Sequence, residues 1–85
     1  MNECQLDYAI FDHASLENAK LINVRGTHSR FKSARLARAD FSNAQLISPN
    51  FSESYALDAT FTNAQLIQAN FNGAHLEGVS FENAN

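Results

Sequence analysis

Four side chains of this 85-residue chain are of the types that bind soft metals or act as nucleophiles: Cys4, His13, His28 and His75. A zinc or nucleophile site gathers three or four such groups into one shell, and close, regular spacing in sequence usually announces it. Here no two of the four are neighbours, and the repeat that runs through the chain would place them on different turns. The three glycines, Gly26, Gly73 and Gly78, are isolated and build no phosphate-cradling loop. Nine acidic residues are present, but carboxylates on a convex surface lack the cleft that tunes them for acid–base work. One cysteine excludes an internal disulfide. The expectation is therefore no catalytic residue, no metal, no cofactor and no small-molecule substrate.

What the residues do show is a period of five. Every fifth position from 6 to 81 reads Leu6, Phe11, Leu16, Leu21, Gly26, Phe31, Leu36, Phe41, Leu46, Phe51, Ala56, Phe61, Leu66, Phe71, Leu76, Phe81. All seven phenylalanines and seven of the eight leucines lie in this column. Two residues earlier runs a column of small residues from Cys4 to Ala84, eleven of whose seventeen members are alanine. The other three columns are mostly polar. Met1 extends the large column at the start of the chain.

A five-residue period suits neither regular element. On an α-helix each step of five turns by roughly 140°, which smears the large residues around the axis. On a flat strand an odd step sends successive large residues to opposite faces. The pattern is consistent if every pentapeptide contains its own bend, with one large and one small residue pointing inward. Four bends of about 90° close a square, with coils stacked about 4.8 Å apart.

The segments Ala39-Asp40-Phe41-Ser42-Asn43 and Ala69-Asn70-Phe71-Asn72-Gly73 carry a recognisable motif. It is alanine, then Asp or Asn, then Leu or Phe, then two free positions. In this the chain resembles the pentapeptide-repeat proteins over essentially its whole length. The resemblance implies an all-β fold, a right-handed quadrilateral β-helix of about four coils, with residues 1–85 as a single solenoid.

Four pentapeptides per coil would stack residues twenty apart. The large residues then form one ladder of Phe11, Phe31, Phe51 and Phe71, and a second of Leu21, Phe41, Phe61 and Phe81. The remaining two ladders are broken, by Gly26 between Leu6 and Leu46 and by Ala56 between Leu36 and Leu76. Each break predicts a gap, and Tyr55 or Leu57 is the expected filler of the second. Asn23, Asn43, Asn63 and Asn83 stack along one corner, where asparagine side chains can bond their own turns.

Net charge is −3, but it is sharply divided. Residues 1–19 hold four acids and no base, residues 20–39 all six bases and no acid, and residues 40–85 five acids and no base. Lys20, Arg25, Arg30 and Arg35 share one repeat position and would form a basic belt, one residue on each side of the square. Stacking places Lys20 beside Asp40, Lys32 beside Asp12 and Arg38 beside Asp58, while Arg25, Arg30 and Arg35 have no stacked acid. Internal neutralisation accounts for most of the pattern. A belt divided over four faces is a poor groove for nucleic acid, which favours one basic face.

The longest apolar run is four residues, Tyr8 to Phe11, far short of the roughly 20 needed to span a membrane. No basic segment followed by an apolar core marks a secretion signal. These features and the lone cysteine point to the cytoplasm. Solenoids expose core and strand edges at open ends. The repeat is in register at both ends, so the chain is expected to belong to a longer protein or to pack end to end with another copy. The function expected is a non-enzymatic scaffold that binds a protein partner through a solenoid face, with the belt and the stacked Ile47 and Ile67 as candidate contacts. Two alternatives stand beside it. One is head-to-tail self-assembly. The other follows from the resemblance: some members mimic duplex DNA and bind type II topoisomerases such as gyrase. Those members are longer, dimerise through a C-terminal helix and are acidic, and this chain departs from all three traits.

Overall fold

Hydrogen bonding at the corner of most pentapeptides explains why the chain bends every five residues. The N–H of the small residue donates to the carbonyl of the large residue three positions earlier, as from Ala9 to Leu6 (3.1 Å), Ala34 to Phe31 (3.1 Å) and Ala59 to Ala56 (3.0 Å). A computed structural model of the chain describes residues 2–85; Met1, and with it the expected start of the large column, lies outside the described residues. Two residues after each large residue, φ is positive, between +54° and +74° from Glu3 to Asn83. A positive φ at the third residue of a four-residue turn is the type II signature. The asparagines at 23, 43, 63 and 83 occupy this position. Among the described residues their amides make no side-chain hydrogen bond. Tolerance of left-handed backbone accounts for them, not the side-chain bonding expected from sequence.

Successive coils are joined by parallel bridges between residues twenty apart, on all four sides of the square. They include Gln5 with Arg25, Ile10 with Arg30, Ser15 with Arg35 and Lys20 with Asp40. Around each bridge residue the backbone bonds run both ways. Arg30 N–H donates up to Ala9 O (2.8 Å), and Phe11 N–H donates to Arg30 O (2.7 Å). The result is the square coil that the repeat predicts, in the right-handed quadrilateral β-helix that the resemblance implies. Its sides are named here by their first large residue: the Leu6, Phe11, Leu16 and Leu21 faces.

The Leu6 face alone carries named strands: β1 (Arg25–Thr27), β2 (Gln45–Ile47) and β3 (Gln65–Ile67). They pair in parallel in the order β1-β2-β3, with Leu46 opposite both Gly26 and Leu66. Its corners are looser than the others. Pro49 has no N–H to donate to Leu46, and the Ala69 to Leu66 bond is stretched to 3.3 Å. A slack corner lets the flanking residues run extended.

The core is the two inward columns. Phe31, Phe41, Phe51, Phe61, Leu21, Leu36 and Leu46 are fully buried, with alanines 34, 39, 44 and 64 between them. Rings within each ladder stack in parallel, as Phe31 on Phe51 (4.8 Å between centroids) and Phe41 on Phe61 (4.9 Å). The two phenylalanine faces oppose each other across the square, and their rings meet edge to face in the middle. Phe31–Phe41 and Phe41–Phe51 are both 5.6 Å apart, at 88° and 90°. Both arrangements suit the ring quadrupole.

Neither expected gap takes the expected form. At Gly26 there is no room: a Cβ built there would lie 2.8 Å from the Leu6 carbonyl carbon and 2.8 Å from Ser29 Oγ. The buried Ser29 hydroxyl donates to Leu6 O (2.9 Å) and occupies the space. At Ala56, Tyr55 and Leu57 do not tilt in. Ala56 itself is buried, while Tyr55 and Leu57 remain 50% and 40% exposed. The backbone ladder on both sides of Ala56 holds its phase, so its neighbours must point outward.

Close to Ala56 in sequence, the Ser54 hydroxyl is fully buried and has no hydrogen-bond partner among the described residues. An unmade bond at a buried hydroxyl costs about 1–3 kcal/mol. Ser54→Ala keeps the small column and removes that hydroxyl. It is expected to raise the urea midpoint, by up to about 1 kcal/mol of stability. A drop in the midpoint would mean that Ser54 has a bonding role.

Candidate interaction surface

The belt forms as its repeat position dictates. Lys20, Arg25, Arg30 and Arg35 each sit at a bridge position on a different face, over one turn of the coil from the end of the first coil into the second. What they bond differs from the stacked pairs expected. Arg30 does find an acid: its Nη2 meets Asp12 Oδ2 at 2.7 Å, diagonally across the coil step. The other Asp12 oxygen accepts the Lys32 backbone N–H (3.0 Å), so Lys32 contributes its main chain to Asp12 and not its ammonium. Arg38 turns to Asn18, donating through Nε at 2.8 Å, and not to Asp58. Lys20 and Asp40 are bridge partners, as the stacking predicts, and the Asp40 carboxylate accepts from Ser42 N–H and Oγ within its own turn. Short acids therefore serve the turns, and the long arginine side chains choose among neighbours. The Arg30–Asp12 pair is half exposed on the arginine side, which limits its worth to about 0–1 kcal/mol.

Ile47 and Ile67 stand in register on β2 and β3, 46% and 49% exposed. They rise above Asp7 and Thr27 on the same ladder, where Asp7 Oδ1 accepts the Thr27 N–H (2.9 Å). At the adjoining corner Tyr8 stacks on His28, 5.5 Å between centroids. Just beyond it lies Ile10. Among the described residues Tyr8 and Ile10 are the most exposed large apolar side chains, at 68% and 66%. Sequence reasoning passed over them, although both sit at polar phases of the repeat. An apolar residue out of phase is the signal that would have found them.

The groups with chemical potential stay apart. His28 is stacked on Tyr8 and His75 on Tyr55 (4.8 Å). The Cys4 thiol is partly buried against the core and lies 3.9 Å from Asn2 O. Among the described residues no three His, Cys, Asp or Glu side chains stand close enough to hold a metal ion. No helix among them is long and apolar enough to cross a membrane.

Comparison with known proteins agrees with this geometry. The pentapeptide-repeat family model matches residues 27–55 and 59–85, in eight copies. The chain belongs to the pentapeptide-repeat family. The break between the two matched stretches contains Ala56, where the large column fails, and the first matched stretch begins just after Gly26. The pentapeptide-repeat coil nonetheless continues through residues 5–25, bridged to the coil above.

Two cyanobacterial structures show the same fold. HetL, a pentapeptide-repeat protein of Nostoc sp. strain PCC 7120 involved in regulating heterocyst differentiation, superposes with a TM-score of 0.92 at 27% identity. The match covers 95% of this chain and 38% of HetL. Rfr23, a pentapeptide-repeat protein of Cyanothece 51142, superposes with a TM-score of 0.76 at 22% identity, over 99% of this chain and 61% of Rfr23. The chain thus spans less than two thirds of each of these proteins. No curated protein matches its sequence.

Proposed function

We propose that this pentapeptide-repeat chain is a non-enzymatic scaffold that binds a protein partner through its Leu6 face. The observation that carries the reading is the Ile47–Ile67 pair, held in register on a parallel sheet and half exposed. Arg25 lies on the same face at β1, with no side-chain partner among the described residues. A flat, rigid face that offers two isoleucines and a free guanidinium suits a partner with an apolar strip bordered by a carboxylate. The rest of the belt, Lys20, Arg30 and Arg35, points to other faces and contributes long-range attraction to acidic partners. A cytoplasmic location goes with this reading, supported by the single, unpaired Cys4. The topoisomerase-mimic alternative asks for a continuous acidic surface, and six bases in residues 20–39 interrupt it.

The test is affinity capture from the source cell with three baits: the native chain, the double variant Ile47→Asn/Ile67→Asn, and Arg25→Glu. A partner retained by the native bait is expected to fall by about tenfold or more with each variant. Equal recovery on all three baits would sink the assignment to this face.

A further inference from the structure

The opposite side of the square, the Leu16 face, has a cleft of different character. Tyr55 and Leu57 flank the buried Ala56 and project outward. Together with Ala37, Arg35 and Glu17 they line one hollow. Its origin is legible in the ladders. Glu17, Ala37 and Leu57 stack at twenty-residue intervals, and the alanine in the middle leaves a step without bulk. Across from it Arg35 and Tyr55 are bridge partners, so they form the other wall. The Tyr55 ring is braced from the far side by His75, stacked at 4.8 Å and 5°. The wall is therefore ordered before anything binds, which lowers the entropy cost of binding.

The charges at the rim are unspent. Among the described residues Arg35 and Glu17 make no ion pair and no side-chain hydrogen bond, although both border the same hollow. An apolar floor between a free cation and a free carboxylate is complementary to a segment with the reverse charge order.

We propose that this cleft binds an extended segment of a partner protein in which one bulky apolar residue is flanked by an acidic and a basic residue. The apolar side chain sits over Ala37 between Tyr55 and Leu57. The acid pairs with Arg35, whose planar fork suits a carboxylate, and the base pairs with Glu17. The proposal rests on the scaffold reading but uses a separate face. A contact this small gives a weak complex, with Kd roughly 10 μM to 1 mM.

The experiment uses the intact, ¹⁵N-labelled chain and two capped pentapeptides, Glu-Ser-Leu-Ser-Lys and its reverse, titrated by amide chemical shift. One order is expected to saturate, with shifts confined to the surroundings of Ala37, Tyr55 and Leu57. Leu57→Asn, or alanine in place of the peptide leucine, is expected to weaken binding about tenfold or more. Arg35→Glu is expected to do the same, and a peptide carrying lysine in place of its glutamate restores binding to that variant. Both substitutions are at exposed side chains, and an unchanged spectrum away from the cleft verifies the fold. Three results overturn the proposal: no saturation of either peptide by about 5 mM, shifts centred on another face, or indifference to both variants. Failure here with Ile47- and Ile67-dependent capture intact leaves the scaffold reading standing. Saturable peptide binding without that capture does the reverse.

Discussion

Phe51→Ala is expected to remove about 3–5 kcal/mol of folding stability, a large share of the roughly 4–13 kcal/mol typical for a chain of this length. The ring has no exposed surface. It stacks on Phe31 at 4.8 Å and on Phe71 at 5.0 Å, and it meets the edges of Phe41 and Phe61 at 5.6 Å each. Truncation therefore breaks four ring contacts as well as the burial itself. The cavity cannot close, because the backbone on both sides is fixed by bonds such as Phe31 N–H to Asn50 O and Phe51 N–H to Asn70 O, 2.7 Å each. Phe81→Ala is the control. That ring is 40% exposed and makes two contacts, to Phe61 at 5.3 Å and Phe71 at 5.8 Å. Its loss is expected to cost about 1–2 kcal/mol. Urea unfolding of the two variants should separate them clearly, and equal midpoints would mean that the phenylalanine ladders are not the core of the stability.

The second large effect runs against the repeat pattern. Leucine at position 26 would restore the column formed by Leu6, Leu46 and Leu66, so consensus reasoning favours Gly26→Leu as stabilising. The structure predicts the opposite. The first carbon of any side chain there already meets the Leu6 carbonyl group at 2.8–2.9 Å, and backbone cannot rotate away as a side chain can. Ser29 Oγ lies at the same distance and is tied to Leu6 O. Gly26→Ala is expected to cost about 1–3 kcal/mol, and Gly26→Leu more, with separation of the first coil from the second. Adding Ser29→Ala should not rescue either variant, because the backbone contact remains. Hydrogen exchange at the Leu6 N–H, which donates to Arg25 O (2.6 Å), and at the Arg25 N–H, which donates to Cys4 O (3.0 Å), would report the separation directly. A rise in stability for Gly26→Ala would show that the two coils can move apart at little cost.

These two cases mark how far the residues could be read in advance. The Phe51 ladder follows from periodicity alone. The Gly26 contact does not, because a missing side chain in a list of letters looks like a void. The backbone is free to close in, and here it does so until Leu6 and Ser29 fill the space. The charge pattern fails for a related reason. Stacking by twenty predicts which residues are level, but an arginine spans more than one ladder spacing. Arg30 thus reaches Asp12 diagonally, while Arg38 takes the level Asn18 of the preceding coil over the level Asp58 of the following one. The candidate surfaces divide in the same way. Ile47 and Ile67 are visible as an in-phase pair at an outward position. The cleft at Ala37 needs the placement of five residues from three coils, and only the coiled chain brings them together.

The sequence by itself determined the period, the four-pentapeptide coil, the inward columns and the order of the ladders. Those features are local: each pentapeptide repeats the same left-handed residue and most repeat the same corner bond, with one large and one small position turned inward. The tertiary structure decided the rest. It set the edge-to-face meeting of opposite phenylalanines, the close approach at Gly26 and the partners of the arginines. It also decided that Tyr55 and Leu57 stay outside. Each of these depends on distances across the square or diagonally between coils, and a periodic pattern specifies angles around a coil but not those distances.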